Sequence, residues 1–244
     1  MLISLTELKS YRIEATDGDI GRIDDLLFFR GEWVVRYLVA ATEDRDTEPM
    51  LAVADIRRLD RRRHVLFINI SRDEVSNART VDVEQPPDES NKDEGHELYG
   101  WPPYWLEEGR EAAPMGAESG VEEPVKNPDV EEFESPELQR ASDLPGLYSI
   151  QTDGGEAGTL KDFVVEDESW AIPYLVIDTN TSLQAPRRVL VATDYVQRVD
   201  WLGKSIQVSL SIEDVAGSPA FTSEELITPE FAHSLREYYD RYSK

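Results

Sequence analysis

Residues 11–42 read YRIEATDGDIGRIDDLLFFRGEWVVRYLVAAT, and residues 148–179 read YSIQTDGGEAGTLKDFVVEDESWAIPYLVIDT. Aligned without a gap at an offset of 137, the two windows share 10 of their 32 positions. Repetition at a fixed offset is the signature of a repeated structural unit, so the sequence predicts two copies of one small domain. The identical pairs are Tyr11/Tyr148, Ile13/Ile150, Gly18/Gly155, Gly21/Gly158, Asp25/Asp162, Trp33/Trp170, Tyr37/Tyr174, Leu38/Leu175, Val39/Val176 and Thr42/Thr179.

A second block of identities extends the repeat at an offset of 140. Each copy then has about 75 residues, which is near the lower limit for burying an adequate core alone. We therefore expect the copies to pack on each other as an internal pseudo-dimer, or to assemble with other chains as a homo-oligomer. The pairs of this block are Arg58/Arg198, Asp60/Asp200, Ser71/Ser211 and Val75/Val215.

The apolar pattern within each copy is that of β-strands. Residues 12–15 alternate, Asp17-Gly18 is a hairpin signal, and residues 33–40 are rich in aromatic and β-branched side chains. Five or six short strands with no long helix favour a small barrel or a sandwich, and we predict a mainly β fold of two small barrels. Further strands are predicted at residues 23–29, 50–56, 65–70 and 206–212.

An acidic stretch separates the copies. Residues 80–139 hold 18 acidic and 3 basic residues together with several prolines, which is the composition of a flexible, self-repelling linker. The predicted domains are copy one at 1–79, the linker at 80–139, copy two at 140–217 and a helical tail at 218–244.

An aromatic segment at residues 96–106 interrupts this linker. It contains Tyr99, Trp101, Tyr104 and Trp105, and aromatic anchors are typical of interface hot spots. One interpretation is that the segment folds back over copy one, and the other is that these four residues bind a partner protein.

The tail has the pattern of an amphipathic helix. Thr228 is a suitable N-cap with Pro229 in the first helical position. Phe231, Leu235, Tyr238 or Tyr239, and Tyr242 share one stripe at helical spacing. We expect this helix to pack on copy two, with binding to a partner groove as the alternative.

The chain is strongly acidic, with a formal net charge of −25. Because nucleic-acid affinity depends on clustered cations, direct nucleic-acid binding is not expected. Without cysteine, a signal-peptide pattern or an apolar run of about 20 residues, the sequence predicts a cytoplasmic protein with no disulfides and no membrane insertion. The acidity is equally consistent with adaptation to a high-salt cytoplasm.

No residue pattern points to catalysis, a metal or a cofactor. The three histidines, His64, His96 and His233, fall in a turn, the linker and the tail. Asp25 and Asp162 occupy equivalent positions, where accepting backbone hydrogen bonds in a turn is the expected role and general acid–base catalysis the alternative.

The remaining motifs are also interpreted as structural. The acidic residues around Gly18 lack calcium-loop spacing, and the glycines lack the Lys and Ser or Thr of a phosphate loop. Trp33 and Trp170 are expected at the core or rim rather than in a ligand stack. The arginines between 57 and 63 have no basic counterpart in copy two, and are interpreted as a solvated turn, or as a contact for the acidic linker or an acidic partner.

The two windows resemble the PRC-barrel domain. The resemblance rests on Y-x-I-x-x-T-D-G-x-x-G-x-hydrophobic-x-D followed by W-x-hydrophobic-x-Y-L-V-hydrophobic-x-T. Copy two is similar to the family from Gly158 to Val176, and residues 99–105 are similar to a tail that often follows the domain in bacterial proteins.

The family includes the cytoplasmic domain of the photosynthetic reaction centre H subunit and the C-terminal barrel of the ribosome maturation factor RimM. This chain shows neither the membrane helix of the first nor the N-terminal domain of the second. The resemblance therefore implies a non-enzymatic interaction or adaptor module. The alternatives are a ribosome-assembly accessory or a soluble accessory of photosynthetic electron transport.

Overall fold

Two seven-stranded β-sheets form the framework of the described part of the chain, in which the helices are few and short. In this computed structural model, residues 2–42, 48–78, 138–179, 187–221, 228–239 and 241 are described. Both sheets belong to one unit of the chain. The prediction of a mainly β fold is confirmed.

The first sheet takes six strands from residues 12–68. They are β2 (Arg12–Ala15), β3 (Gly18–Phe29), β4 (Val35–Thr42), β5 (Met50–Ala52), β6 (Ile56–Asp60) and β7 (Val65–Ile68). Their order across the sheet is β5-β4-β3-β2-β7-β6, and only β2 and β7 are parallel neighbours.

The second sheet takes six strands from residues 149–208. They are β9 (Ser149–Thr152), β10 (Gly155–Glu166), β11 (Tyr174–Thr179), β12 (Arg188–Ala192), β13 (Val196–Asp200) and β14 (Ser205–Val208). Their order, β12-β11-β10-β9-β14-β13, repeats that of the first sheet strand for strand, and β9 and β14 are again the parallel pair.

Each sheet is completed by a strand that precedes the other one in the chain. Strand β1 (Leu2–Ser4) pairs antiparallel with β10, with Ile3 opposite Val165. Strand β8 (Leu138–Arg140) pairs antiparallel with β3, with Gln139 opposite Phe28. The two sheets therefore exchange their seventh strands reciprocally.

The hairpin loops that precede β4 and β11 also meet reciprocally. The Val35 amide donates to the Trp170 carbonyl at 2.8 Å, and the Ile172 amide donates to the Trp33 carbonyl at 2.7 Å. Residues 33 and 170, and 35 and 172, are separated by the same offset of 137 that relates the two sequence windows. The contact thus has the reciprocity of a two-fold interface.

A single apolar core runs through both sheets. Buried side chains of the first and second sheets belong to one continuous cluster. At its centre the Phe28 and Phe163 rings pack edge to face with centroids 6.1 Å apart, and Trp33 lies 6.3 Å from Phe163. Each sheet therefore buries apolar side chains against the other, which suits domains too small to bury an adequate core alone.

The expected closed barrels are not observed among the described residues. Strands β5 and β6 lie at opposite edges of the first sheet and have no ladder between them, and the same holds for β12 and β13. Short 3-10 turns, Val53–Asp55 and Thr193–Tyr195, connect these edge strands directly. Each turn connects two edge strands, but no ladder between those strands closes the sheet.

Three strand predictions were wrong in part. The strand predicted at 50–56 is interrupted by the 3-10 turn, and those predicted at 65–70 and 206–212 stop at Ile68 and Val208. Ser71 and Ser211 instead form capping boxes that start short helices. The helices are α1 (Leu5–Leu8), α2 (Arg72–Ser76) and α3 (Ile212–Gly217).

The predicted tail helix is present as α4 (Pro229–Tyr239). The Thr228 hydroxyl oxygen accepts from the Phe231 amide at 3.2 Å, as expected of an N-cap. Leu235 and Tyr239 are buried, and the Tyr239 hydroxyl donates to the Leu190 carbonyl of β12. The helix packs on the second sheet, as predicted.

Candidate functional site

The four aromatic residues predicted to bind a partner, Tyr99, Trp101, Tyr104 and Trp105, lie outside the described residues. Their partner-binding role stays a prediction. The described part of the chain offers three other features to consider, namely the equivalent aspartates, a cleft between the sheets, and the two hairpin turns that protrude from them.

Asp25 lies in the middle of β3 and is 1 % exposed. Its carboxylate accepts from the Leu26 amide at 2.8 Å, from the Ser142 amide at 3.1 Å and from the Ser142 hydroxyl at 2.5 Å. A guanidinium nitrogen of Arg140 lies 3.9 Å from a carboxylate oxygen of Asp25. Burial raises the pKa of the Asp25 carboxyl above its ordinary value, although the hydrogen bonds from Ser142 and Leu26 oppose that rise.

Asp162 has the same role in the second sheet. Its carboxylate accepts from the Phe163 amide at 2.8 Å and from the Thr6 amide at 3.3 Å. Burial raises the pKa of this carboxyl as well, against the hydrogen bonds from Thr6 and Phe163. Each aspartate thus fixes the segment that follows the exchanged strand, because Thr6 follows β1 and Ser142 follows β8.

The aspartates are acceptors, as predicted, but on long strands and toward the other half of the chain instead of within a local turn. Their oxygens are enclosed by protein donors. The described histidines lie elsewhere, since His64 stacks on Tyr11 at 4.9 Å and His233 is exposed near Glu237. His96 lies outside the described residues.

A cleft of about 120 Å³ opens between the two halves of the chain. The first half contributes the loop after β3, and the second contributes β13 and the turn that follows it. At one side the Arg30 guanidinium lies 4.8 Å above the Trp201 ring. The lining residues are Phe28, Gly31, Glu32, Trp33, Trp201 and the run from Val196 to Val199.

Trp33 and Trp170 occupy equivalent positions but different environments. Trp170 has a φ of 58° and is 6 % exposed, so it belongs to the core. Trp33 is only partly buried, packs on Phe28 with centroids 5.9 Å apart, and lines the cleft. The expectation of a core or rim position is met for both, with the difference that Trp33 leaves space beside it.

Beside the cleft the second sheet presents an apolar turn, residues 201–204. Leu202 is 98 % exposed, and Leu147, in the loop before β9, is 57 % exposed. Leu147 precedes Tyr148 in the chain, and Leu202 follows Trp201. The rings of Tyr148 and Trp201 have centroids 6.1 Å apart, and the Tyr148 hydroxyl donates to the Trp201 carbonyl at 3.4 Å. The two exposed leucines thus flank a pair of residues that are in contact.

The first sheet presents a basic hairpin in the corresponding place, residues 57–64. At the offset of 140, Arg61 and Arg62 stand where the second sheet has Trp201 and Leu202. Arg61 is 17 % exposed and pairs with Glu7 at 3.6 Å. Burial raises the pKa of the adjacent Tyr11 phenol to about 12, with Glu7 adding to the effect and Arg61 opposing it.

The cleft was missed in the sequence, since it depends on how the two halves are arranged. The apolar turn, in contrast, had a visible signal. The turn that holds Arg61-Arg62 in the first copy is polar, whereas the equivalent turn of the second copy holds Trp201-Leu202. Large apolar side chains grouped in a surface turn indicate a contact site.

Within the described ranges, no three His, Asp or Glu side chains are grouped in a way that would hold a metal ion. Nor do these ranges contain a helix with the length and apolarity to cross a membrane. No protein-family model matches the sequence, and no curated protein matches it.

Proposed function

We propose that the protein is a non-enzymatic, cytoplasmic interaction module composed of two PRC-type barrels that arose by internal duplication and form a pseudo-dimer. Three observations support the duplication: the windows related by an offset of 137, the identical strand order of the two sheets, and the reciprocal exchange of β1 and β8. Among the described strands neither sheet closes on itself, so the barrel description rests on the sequence resemblance.

The observation that carries the function is the pair of exposed leucines, Leu147 and Leu202, which adjoin Tyr148 and the cleft-lining Trp201 in the chain. Grouped apolar side chains at a surface mark contact sites, and a neighbouring pocket lined by tryptophans suits an anchor residue of a partner. The turn that holds Leu202 is well defined, because the Gly203 amide donates to Asp200 at 2.8 Å. Little conformational freedom would therefore be lost on binding.

The experiment is an affinity purification from lysate of the source cell, with the full chain as bait. It compares the unmodified chain with the double variant Leu147→Ser/Leu202→Ser. The matched control is Glu156→Ser/Asp194→Ser, which changes two exposed positions of the second sheet outside both proposed surfaces. A third variant, Trp101→Ala/Tyr104→Ala/Trp105→Ala, tests the predicted aromatic segment.

We expect a protein that is recovered by the unmodified chain and the control but not by the leucine double variant. Binding of that purified protein is then confirmed by calorimetry. Self-association through the same surface is tested by sedimentation of the purified chain, where the leucine variant should lose any dimer. If neither a partner nor a dimer depends on Leu147 and Leu202, the proposed site is wrong.

A further inference from the structure

The basic hairpin carries five arginines within seven positions of a chain whose net charge is −25. The equivalent stretch of the second sheet, residues 197–203, contains only Arg198. Because the second sheet forms the same strands without the other four cations, the fold does not require them. Their presence on one sheet alone calls for an explanation outside the fold.

Two of the five arginines have partners within the protein. Arg61 pairs with Glu7, as described above. Arg58 lies 4.1 Å above the Phe67 ring and 3.9 Å from Asp60. These two side chains contribute to the packing of the hairpin on its own sheet.

The other three, Arg57, Arg62 and Arg63, are exposed. Within the described part of the chain, none of them has a carboxylate within 4.0 Å. Among the described residues, these three guanidinium groups are thus exposed and form no ion pair. Guanidinium binds carboxylate in a planar, bidentate geometry, which gives these groups a defined preference.

The hairpin holds the three arginines in place. The Arg63 amide donates to the Asp60 carboxylate at 3.2 Å, and the Arg12 amide donates to the His64 carbonyl at 2.9 Å. His64 also stacks on Tyr11. The backbone of the turn is thus already ordered, which lowers the entropic cost of binding.

We propose that the basic hairpin is a second docking surface, which binds a short, extended acidic peptide segment of a partner protein. At about 3.3 Å per residue, Arg57 and Arg62 are at most about 17 Å apart, a distance that an octapeptide in extended form exceeds. A longer polyanion such as nucleic acid extends its dense charge over the acidic remainder of the protein and is repelled. This surface is separate from the cleft and does not depend on the function proposed for the leucines.

The test measures fluorescence anisotropy of a fluorescein-labelled octapeptide that alternates glutamate and threonine, titrated with the full chain at low salt. Alternation places all carboxylates on one face of an extended peptide. The control peptide has glutamine in place of glutamate. The test variant is Arg57→Gln/Arg62→Gln/Arg63→Gln, and the control variant Lys161→Gln/Arg188→Gln/Lys204→Gln removes the same charge from the second sheet.

We expect the glutamate peptide to bind the unmodified chain and the control variant alike, and to bind the test variant about tenfold or more weakly, as three screened ion pairs are lost. Binding should weaken as sodium chloride is added. Leu147→Ser/Leu202→Ser should bind the peptide normally, which separates this result from a failure of the proposed function.

Four outcomes would overturn the proposal. Equal losses in the two charge variants would show an effect of net charge alone. Equal binding of the glutamine peptide would show that carboxylates are not needed for binding. No binding of the glutamate peptide at millimolar concentration would show that the hairpin does not bind an acidic peptide. Tighter binding of an oligothymidylate than of the peptide would assign the surface to phosphate.

Discussion

Ser142 donates both its amide and its hydroxyl to the carboxylate of Asp25, which lies 117 positions earlier in the chain. Thr6 and Asp162 make the corresponding contact in the opposite direction, across 156 positions. Each half of the chain therefore supplies the strand that completes the other sheet, and also the polar contact that fixes the segment after that strand.

Replacing Asp25 tests how much this contact stabilises the protein. Asp25→Ala leaves buried donors of Ser142 and Leu26 without an acceptor, and we expect a loss of about 1–3 kcal/mol in the free energy of unfolding. Asp25→Asn keeps an acceptor oxygen and removes the buried charge, so its loss should be smaller. Urea unfolding at neutral pH measures both, and a larger loss for Asn than for Ala would contradict the assignment.

The same aspartate gives a pH dependence of defined sign. Its folded-state pKa lies above the ordinary 3.8, so its protonation favours the folded state. The stabilisation is complete below 3.8 and is lost as the pH rises through the folded-state value. The unmodified protein should therefore gain stability relative to Asp25→Asn as the pH falls from 7 toward 4. A difference that stays constant across this range would count against a raised pKa.

The exchanged strand β1 is expected to be important for the second sheet although it lies at the other end of the chain. Ile3 is 1 % exposed, and Ile3→Ala should cost about 2–4 kcal/mol by leaving a cavity. Leu2→Ala, at the partly buried neighbouring position, should cost clearly less. Hydrogen exchange should show the loss of protection in residues 164–166 of β10, and protection that is lost only around β3 would refute the pairing.

Gly21 is required for a close approach of two strands. It has a φ of 145°, and a Cβ there would collide with the carbonyl oxygen of Ala41 on β4. Gly21→Ala should therefore prevent stable folding or lower the melting temperature strongly. Gly31→Ala is the matched control, because its φ of 90° is also unfavourable but no atom lies within 4 Å of the added Cβ. Similar melting temperatures for the two variants would contradict this explanation.

Tyr11 makes stability sensitive to alkaline pH. Because burial raises the pKa of its phenol from 10.0 to about 12, its contribution is complete below pH 10 and is lost as the pH rises toward 12. In Tyr11→Phe this component should be missing, so its unfolding free energy should fall less between pH 9 and 11.5. Parallel profiles for the two proteins would show that Tyr11 does not contribute.

Much of the fold was readable in the sequence because the repeat and the strand alternation are local signals. Gly21 and Gly158 were visible as a shared pair, and the structure explains them, since a Cβ on Gly158 would collide with the Asp178 carbonyl as one on Gly21 would with that of Ala41. The cap at Thr228 was also predicted correctly, because capping depends on neighbours a few residues apart.

The missing parts depend on contacts between distant residues. Leu2–Ser4 and Leu138–Arg140 are only three residues each, too short for a periodic pattern, and they are strands only because β10 and β3 offer them an edge. The capping box at Ser211 was overlooked because the apolar alternation was followed through Ile212, and no helix was predicted after Ser71. The sequence showed which side chains the candidate sites contain, but which of those side chains are exposed could be seen only in the structure.

The reciprocal exchange of β1 and β8 also bears on how such a chain can change over time. A substitution at Asp25 or Asp162 affects both halves, because each carboxylate contacts the segment that follows the strand supplied by the other half. The hairpins at 57–64 and 201–204 connect equivalent strands of the two sheets, and one is basic while the other is apolar. Because the exchanged strands β1 and β8 hold the two halves together, the hairpin turns can differ in sequence without changing those contacts.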